Sequence, residues 1–182
     1  LSLKALREAD AGARFTTDEG RTFPWRDRGV RIPSLAEVLG VAGDTPLILD
    51  VKTPNAAPAV HRVLSAAGAA GRCMLASFHA RALELFDAAP WVRSASRYEA
   101  MALIARGLLA RPARPVRYRA LTVPTRVSGL PIPMRALTHA ARQLGCPTHI
   151  WVIDEPHRAR ALWRAGACGI ITNCPRDILD VR

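Results

Sequence analysis

A chain of 182 residues, 49% hydrophobic and 23% charged, can bury a sizeable core and is not a disordered polyelectrolyte. No apolar run approaches the roughly 18 residues of a membrane span, and no signal-peptide pattern opens the chain; a cytoplasmic location is the expectation, left open because localisation signals would lie in the part expected upstream. The net charge of +11 comes almost wholly from arginine and favours anionic partners such as phosphate esters. Aromatic residues make up only 5%, so a base-stacking platform is not expected, and neither is a nucleic-acid partner.

In chain order, residues 1–10 carry helical spacing, which Gly12 breaks. Residues 16–29 are polar, with Gly20, Pro24 and Gly29, and read as loop; residues 1–32 together read as an irregular approach segment. Pro33 followed by Ser34-Leu35-Ala36-Glu37 is a capping box, which starts a helix running to about Leu39. The chain then alternates. Strands are predicted at 47–52, 73–78, 92–96, 120–126, 148–153 and 168–172. Helices are predicted between them at 56–67, 80–88, 99–109, 134–144 and 156–165, with a short one after Pro175.

Six strand–helix units argue for a parallel sheet. Units of about 20 to 30 residues with no GxGxxG turn favour a TIM-type (β/α)8 barrel over a dinucleotide fold. The expectation is one α/β domain over residues 1–182 with about six of the eight units present. The chain opens Leu1-Ser2-Leu3-Lys4 with no initiator Met, so the N-terminal part of the domain is expected to lie upstream.

Cys73, Cys146, Cys168 and Cys174 show no CxxC spacing, which excludes the common zinc and redox motifs. Cys73 and Cys168 fall in strand-like runs and are expected to be small core residues. The densest basic cluster runs from Arg106 to Arg119, is interrupted by Pro112 and Pro115, and reads as a solvated loop.

The most informative stretch is Leu47-Ile48-Leu49-Asp50-Val51-Lys52. Strand side chains alternate, so Ile48, Asp50 and Lys52 share one face. An anion and a cation then stand side by side where the strand ends, which in parallel barrels is the active-site rim. A carboxylate there can hold a divalent cation, and an ammonium can meet a phosphate. Of 26 basic residues only Lys4 and Lys52 are lysine, so a compact point charge here departs from the chain's habit.

Four stretches in order carry a family resemblance. Asp10-Ala11-Gly12 with the run from Arg31 to Leu39 is the first, and Leu49-Asp50-Val51-Lys52, similar to Ile-Glu-Ile-Lys, is the second. Ala76-Ser77-Phe78 resembles Ser-Ser-Phe. The fourth runs from Ile150 to Pro156, similar to Val-Trp-Thr-Val-Asn-Asp-Pro, with Gly169 to Pro175, similar to Gly-Ile-Ile-Thr-Asp-Arg-Pro. Together they resemble the glycerophosphodiester phosphodiesterases, aligned with everything after that family's first quarter.

The resemblance implies a TIM-type barrel that hydrolyses glycerophosphodiesters to glycerol 3-phosphate and an alcohol with one divalent cation, Mg²⁺ or Ca²⁺. It implies Asp50 as a metal carboxylate, Lys52 as the catalytic phosphate contact, and Phe78 and Trp151 as cleft aromatics. The family's His-Arg, its His-Asp and two further carboxylates have no match here, so the chain by itself is expected to be inactive. Asp50 stands where the family has Glu, so ligation would be direct with a shifted backbone or through water. Asn173 stands where the family has Asp, with no role assigned.

His79 follows Phe78 at a strand's end and is a further substrate-binding candidate. His61-Arg62 and His157-Arg158 mimic a His-Arg dipeptide but do not follow strands, and they are set aside with His139 and His149. Two other functions fit the same resemblance: a non-catalytic phosphate-ester-binding barrel, and a sphingomyelinase-D-like phospholipase.

Overall fold

The computed structural model describes residues 2–109, 111 and 114–180. Backbone contacts divide the chain into two compact units, Leu1–Asp44 and Thr45–Arg182.

The first unit holds helices α1 (Leu3–Glu8) and α2 (Leu35–Ala42). The capping box forms as read. The Ser34 N–H donates to the Glu37 carboxylate at 2.7 Å, and the Glu37 N–H donates to Ser34 Oγ at 3.3 Å. The bonds with Ser34, then that from Arg7, hold the Glu37 carboxyl down at about 2. Helix α2 runs on past Leu39 to Ala42 and stops at Gly43, whose φ is 52°. The segment read as irregular is cross-tied: the Asp10 carboxylate accepts from the N–H groups of Gly12 (2.9 Å) and Asp27 (2.8 Å). Gly12 is required there, since a Cβ would sit 2.3 Å from the Trp25 carbonyl oxygen.

The second unit begins with β1 (Leu47–Asp50), β2 (Cys73–Ala76) and β3 (Val92–Arg93), paired in parallel in that order. It continues with β4 (Leu121–Pro124), β7 (Thr148–Trp151) and β8 (Gly169–Ile170), also parallel. A parallel bridge between Ser94 and Ala120 joins the two sheets, so six strands follow one another in chain order. The strands between β4 and β7, β5 (Arg126–Val127) and β6 (Leu130–Pro131), form a hairpin that the sequence reading did not anticipate. Its two turn residues, Ser128 (φ 50°) and Gly129 (φ 80°), take the left-handed backbone that a tight two-residue hairpin loop needs.

The helices are α3 (Ala57–Ala66), α4 (Ala80–Leu83), α5 (Arg97–Leu108), α6 (Met134–Gln143), α7 (Pro156–Arg164) and α8 (Pro175–Leu179). Every strand predicted after residue 45 is present but shorter than its apolar run. The predicted spans at β3, β4 and β8 each lose three residues; after β3, Ser94 bridges to Ala120 and Ser96 caps α5. The core alternates as strand geometry requires: Leu121 and Val123 of β4 and Ile150 of β7 are buried with Leu137 and Ala141 of α6. Each such side chain contributes roughly 1.5–3 kcal/mol of transfer free energy. Cys73 is buried as read, whereas Cys168 is exposed. It lies one residue before β8 and contributes its N–H to the ladder at Thr148, not its side chain to the core.

Candidate active site

A cavity of about 520 Å³ opens at the carboxyl ends of the six parallel strands. Each strand end reaches it: Asp50 from β1, Ala76 from β2, Ala95 after β3, Pro124 from β4, Trp151 from β7 and Ile171 after β8. Four of the residues singled out by sequence meet here. Ile48, Asp50 and Lys52 line it together, as period-two alternation requires, with Val51 between them turned inward and buried. Asp50 and Lys52 form an ion pair. Phe78 and Trp151, read from strand ends 73 residues apart, stack edge-on with ring centroids 5.9 Å apart.

The backbone beneath the ion pair is fixed. Val51 N–H donates to Ala76 O at 2.7 Å, and the buried Ser77 hydroxyl donates to Val51 O at 2.6 Å. The two ends of β1 and β2 are thus sewn together on either side of Val51. Lys52 itself is 75% exposed, so its pairing with Asp50 is a surface interaction of at most about 1 kcal/mol. A bound anion can therefore compete for the ammonium.

His79 does not line the cavity. It is exposed at the N-cap of α4, where its N–H donates to Ser77 Oγ at 3.1 Å. His61 packs against Phe86 and Trp91, and the His139 ring meets the Gln143 side chain at 3.1 Å. Among the described residues no imidazole lines the cavity.

Two residues gain a role that the sequence reading missed or left open. Arg97 is the first residue of α5 and lines the cavity together with Asp50 and Lys52. Among the described residues it takes part in no ion pair. The available signal was Ser96-Arg97-Tyr98-Glu99, a capping box directly after a strand, which places Arg97 at a helix start on the strand-end face. Asn173 clamps Asp154: its N–H and side-chain amide donate to that carboxylate at 2.7 and 3.1 Å, and the Thr172 hydroxyl adds a third bond at 2.8 Å. The bonds from Asn173, then that from Thr172, hold the Asp154 carboxyl below the usual aspartate range.

Asp50 is the side-chain carboxylate that the cavity would offer a divalent cation. It is already paired with Lys52, and no group of three His, Cys, Asp or Glu side chains converges among the described residues. A Ca²⁺ ion takes six to eight oxygen ligands, whereas Mg²⁺ keeps several waters and is held by one or two carboxylates with substrate phosphate.

No family model matches the chain. A probable glycerophosphodiester phosphodiesterase 2 of Mycobacterium tuberculosis is 29% identical over 180 residues, covering 87% of this chain and 66% of that protein. The chain resembles the glycerophosphodiester phosphodiesterases. Among solved structures, the glycerophosphoryl diester phosphodiesterase domain of another Mycobacterium tuberculosis protein aligns with TM-score 0.80 at 18% identity, over 99% of this chain and 74% of that one. A glycerophosphodiester phosphodiesterase from Parabacteroides distasonis aligns with TM-score 0.62 at 18% identity, over 85% and 66%. At these identities the structural matches show a shared mixed α/β fold. The chain spans about two thirds of the curated relative's length, 66%.

Proposed function

We propose that this cavity belongs to a phosphodiester hydrolase and binds a glycerophosphodiester, which is cleaved to glycerol 3-phosphate and an alcohol. The observation that carries the reading is the Asp50–Lys52 pair set against Phe78 and Trp151 at the carboxyl rim of a parallel sheet. The likeness to proteins named glycerophosphodiester phosphodiesterases supports it. In the same reading the six parallel strands form a sector of a (β/α)8 barrel, whose catalytic rim is this face.

The chemistry follows from charge. A phosphodiester is anionic and resists attack, and negative charge accumulates on its phosphoryl oxygens as the new bond forms. Lys52 places a point charge at those oxygens. Asp50 orients the ammonium, and Phe78 and Trp151 shield the scissile group from water. No described side chain in the cavity offers an imidazole for proton transfer, a contribution of about 10²–10⁴-fold. The 182-residue chain is therefore proposed to bind substrate well and turn it over slowly.

The test uses the purified chain. Titration with sn-glycerol 3-phosphate, followed by tryptophan fluorescence, should saturate, and Lys52→Ala should weaken it at least tenfold. Any turnover of glycerophosphocholine should release glycerol 3-phosphate and choline, assayed with Mg²⁺, Ca²⁺ or EDTA so that a cation requirement is read directly. Equal binding by Lys52→Ala, or release of choline phosphate instead of choline, would overturn the reading.

A further inference from the structure

The wall of the cavity is wrong for a polyol. Of its 20 lining residues, 14 are apolar, three carry hydroxyls and three are charged. The hydroxyls are already committed: Ser77 donates to Val51 O, Ser96 donates to the Glu99 carboxylate, and Thr122 pairs with Ser94. The charged groups, Asp50, Lys52 and Arg97, are exposed. Ala76, Ala95, Ala100 and Val123 are buried. Charge is thus confined to the solvent-exposed part of the lining, and the volume, about 520 Å³, is large enough for a drug-sized ligand, which is typically about 300–1,000 Å³. A ligand of glycerol and phosphate alone would satisfy the charged end and leave the apolar volume to water. A hydroxyl carried deeper would find few partners, since the lining hydroxyls are engaged and the Trp151 indole N–H is the remaining uncharged side-chain donor.

We propose that the occupant of this cavity is an amphiphile with a phosphate head and a single hydrocarbon chain. The head sits between Lys52 and Arg97, and the chain runs past Phe78 and Met101 toward Ala100, Ile104 and Val123. The inference rests on the phosphodiester reading and deepens it. It assigns the alcohol or glycerol side of the substrate a hydrocarbon chain, and it makes Arg97 a second anion contact. Charge complementarity fixes the direction: two cations against one carboxylate leave the exposed charged groups net positive, and the buried lining offers carbon and hydroxyls that are already engaged. The rim is itself apolar where it meets solvent, with Phe78, Met101 and Val152 about half exposed, as an entry for a hydrocarbon would be.

The experiment is a homologous series of butyl, octyl and dodecyl phosphate, each below its micellar concentration, bound to the chain and followed by calorimetry. Each buried CH₂ should tighten binding by roughly threefold to fourfold until the cavity is filled. Met101→Gln, at a half-exposed lining position that should not disturb folding, is expected to flatten this dependence, so that octyl and dodecyl phosphate lose more affinity than butyl phosphate. Arg97→Ala should weaken all members of the series by a similar factor, at least fivefold. Affinity independent of chain length, with butyl phosphate and glycerol 3-phosphate still bound through Lys52, would overturn the hydrocarbon site and leave the phosphodiester reading standing. Failure of every phosphate to bind would sink both. A steep dependence that Met101→Gln does not change would place the chain elsewhere and overturn the proposal.

Discussion

At the scale of single residues, Asp154 and Asn173 explain a departure that the sequence could only register. The family-like segments read Asn-Asp-Pro and Thr-Asp-Arg-Pro where this chain has Asp154-Glu155-Pro156 and Thr172-Asn173-Cys174-Pro175. The carboxylate and the carboxamide have exchanged places, and in the structure they touch. One acceptor carboxylate and one donor amide keep the loops after β7 and β8 tied, beside Trp151 and Ile171 of the cavity. Asn173→Asp would bring two carboxylates together and should lower Tm. Asp154→Asn would replace the charged acceptor of three bonds with a weaker one and should also lower it. The double exchange should recover most of the loss, because it restores one group of each kind. Melting curves of the four proteins form a double-mutant cycle, and simple additivity of the two losses would show that the pair is not coupled. This coupling was not legible in advance, because it joins two loops whose approach depends on strand order. Asp50 and Lys52 were legible because alternation along a strand fixes which side chains reach its end, whereas Phe78 and Trp151 came from the family-like motifs.

At the scale of elements, the placement of α5 decides the shape of the cavity, since Arg97, Ala100, Met101 and Ile104 all come from it. Its start is held by Arg93, whose side chain is 5% exposed and meets Asp87 at 2.5 Å and Glu99 at 2.8 Å. Glu99 also closes the capping box by accepting from Ser96 N–H at 2.8 Å. Farther along, Gly107 lets α5 lie against α6, for a Cβ there would come 2.9 Å from the Ala136 carbonyl oxygen. Arg93→Met should cost about 2–3 kcal/mol by urea unfolding, because it leaves the Glu99 carboxylate without its cation and Asp87 with only the exposed Arg117. A loss below about 0.5 kcal/mol would mean that solvent already screens the cluster. Burial opposes ionisation of Glu99, but hydrogen bonds from Arg93 and Ser96 outweigh it and hold its carboxyl below the ordinary value of 4.5. A depressed carboxylate stabilises the fold above its unfolded pKa and loses that contribution as pH falls through the folded value. Tm should therefore fall as pH drops below 4.5, and Glu99→Gln should have a lower Tm at pH 7 with a shallower acid limb. An identical acid limb in the variant would remove Glu99 from the account. The helix was legible from its apolar period, whereas its first turn was not, because the short β3 gave too few residues for alternation to show where the strand stops.

At the scale of the whole molecule, two sequence-level facts oppose each other. The chain carries a net charge of +11, which keeps copies apart. The parallel run places β1 and β8 outermost, and among the described residues no strand pairs with their free sides. Such edges present unpaired N–H and C=O groups and template association. The order and parallel sense of the six strands followed from the βα alternation, so the exposed edges were foreseeable. The charge that guards them acts over a Debye length of about 10 Å at 0.1 M salt and about 3 Å at 1 M. Repulsion should therefore dominate at low ionic strength and fail as salt rises. Sedimentation velocity at a fixed protein concentration should show a monomer in 20 mM salt and growing self-association by 1 M. A phosphate amphiphile filling the cavity should not reverse this trend, because it leaves the strand edges unpaired. Association that weakens with salt would instead point to ion-paired contacts between copies, built from the arginine-rich surface and not from the edges of the sheet.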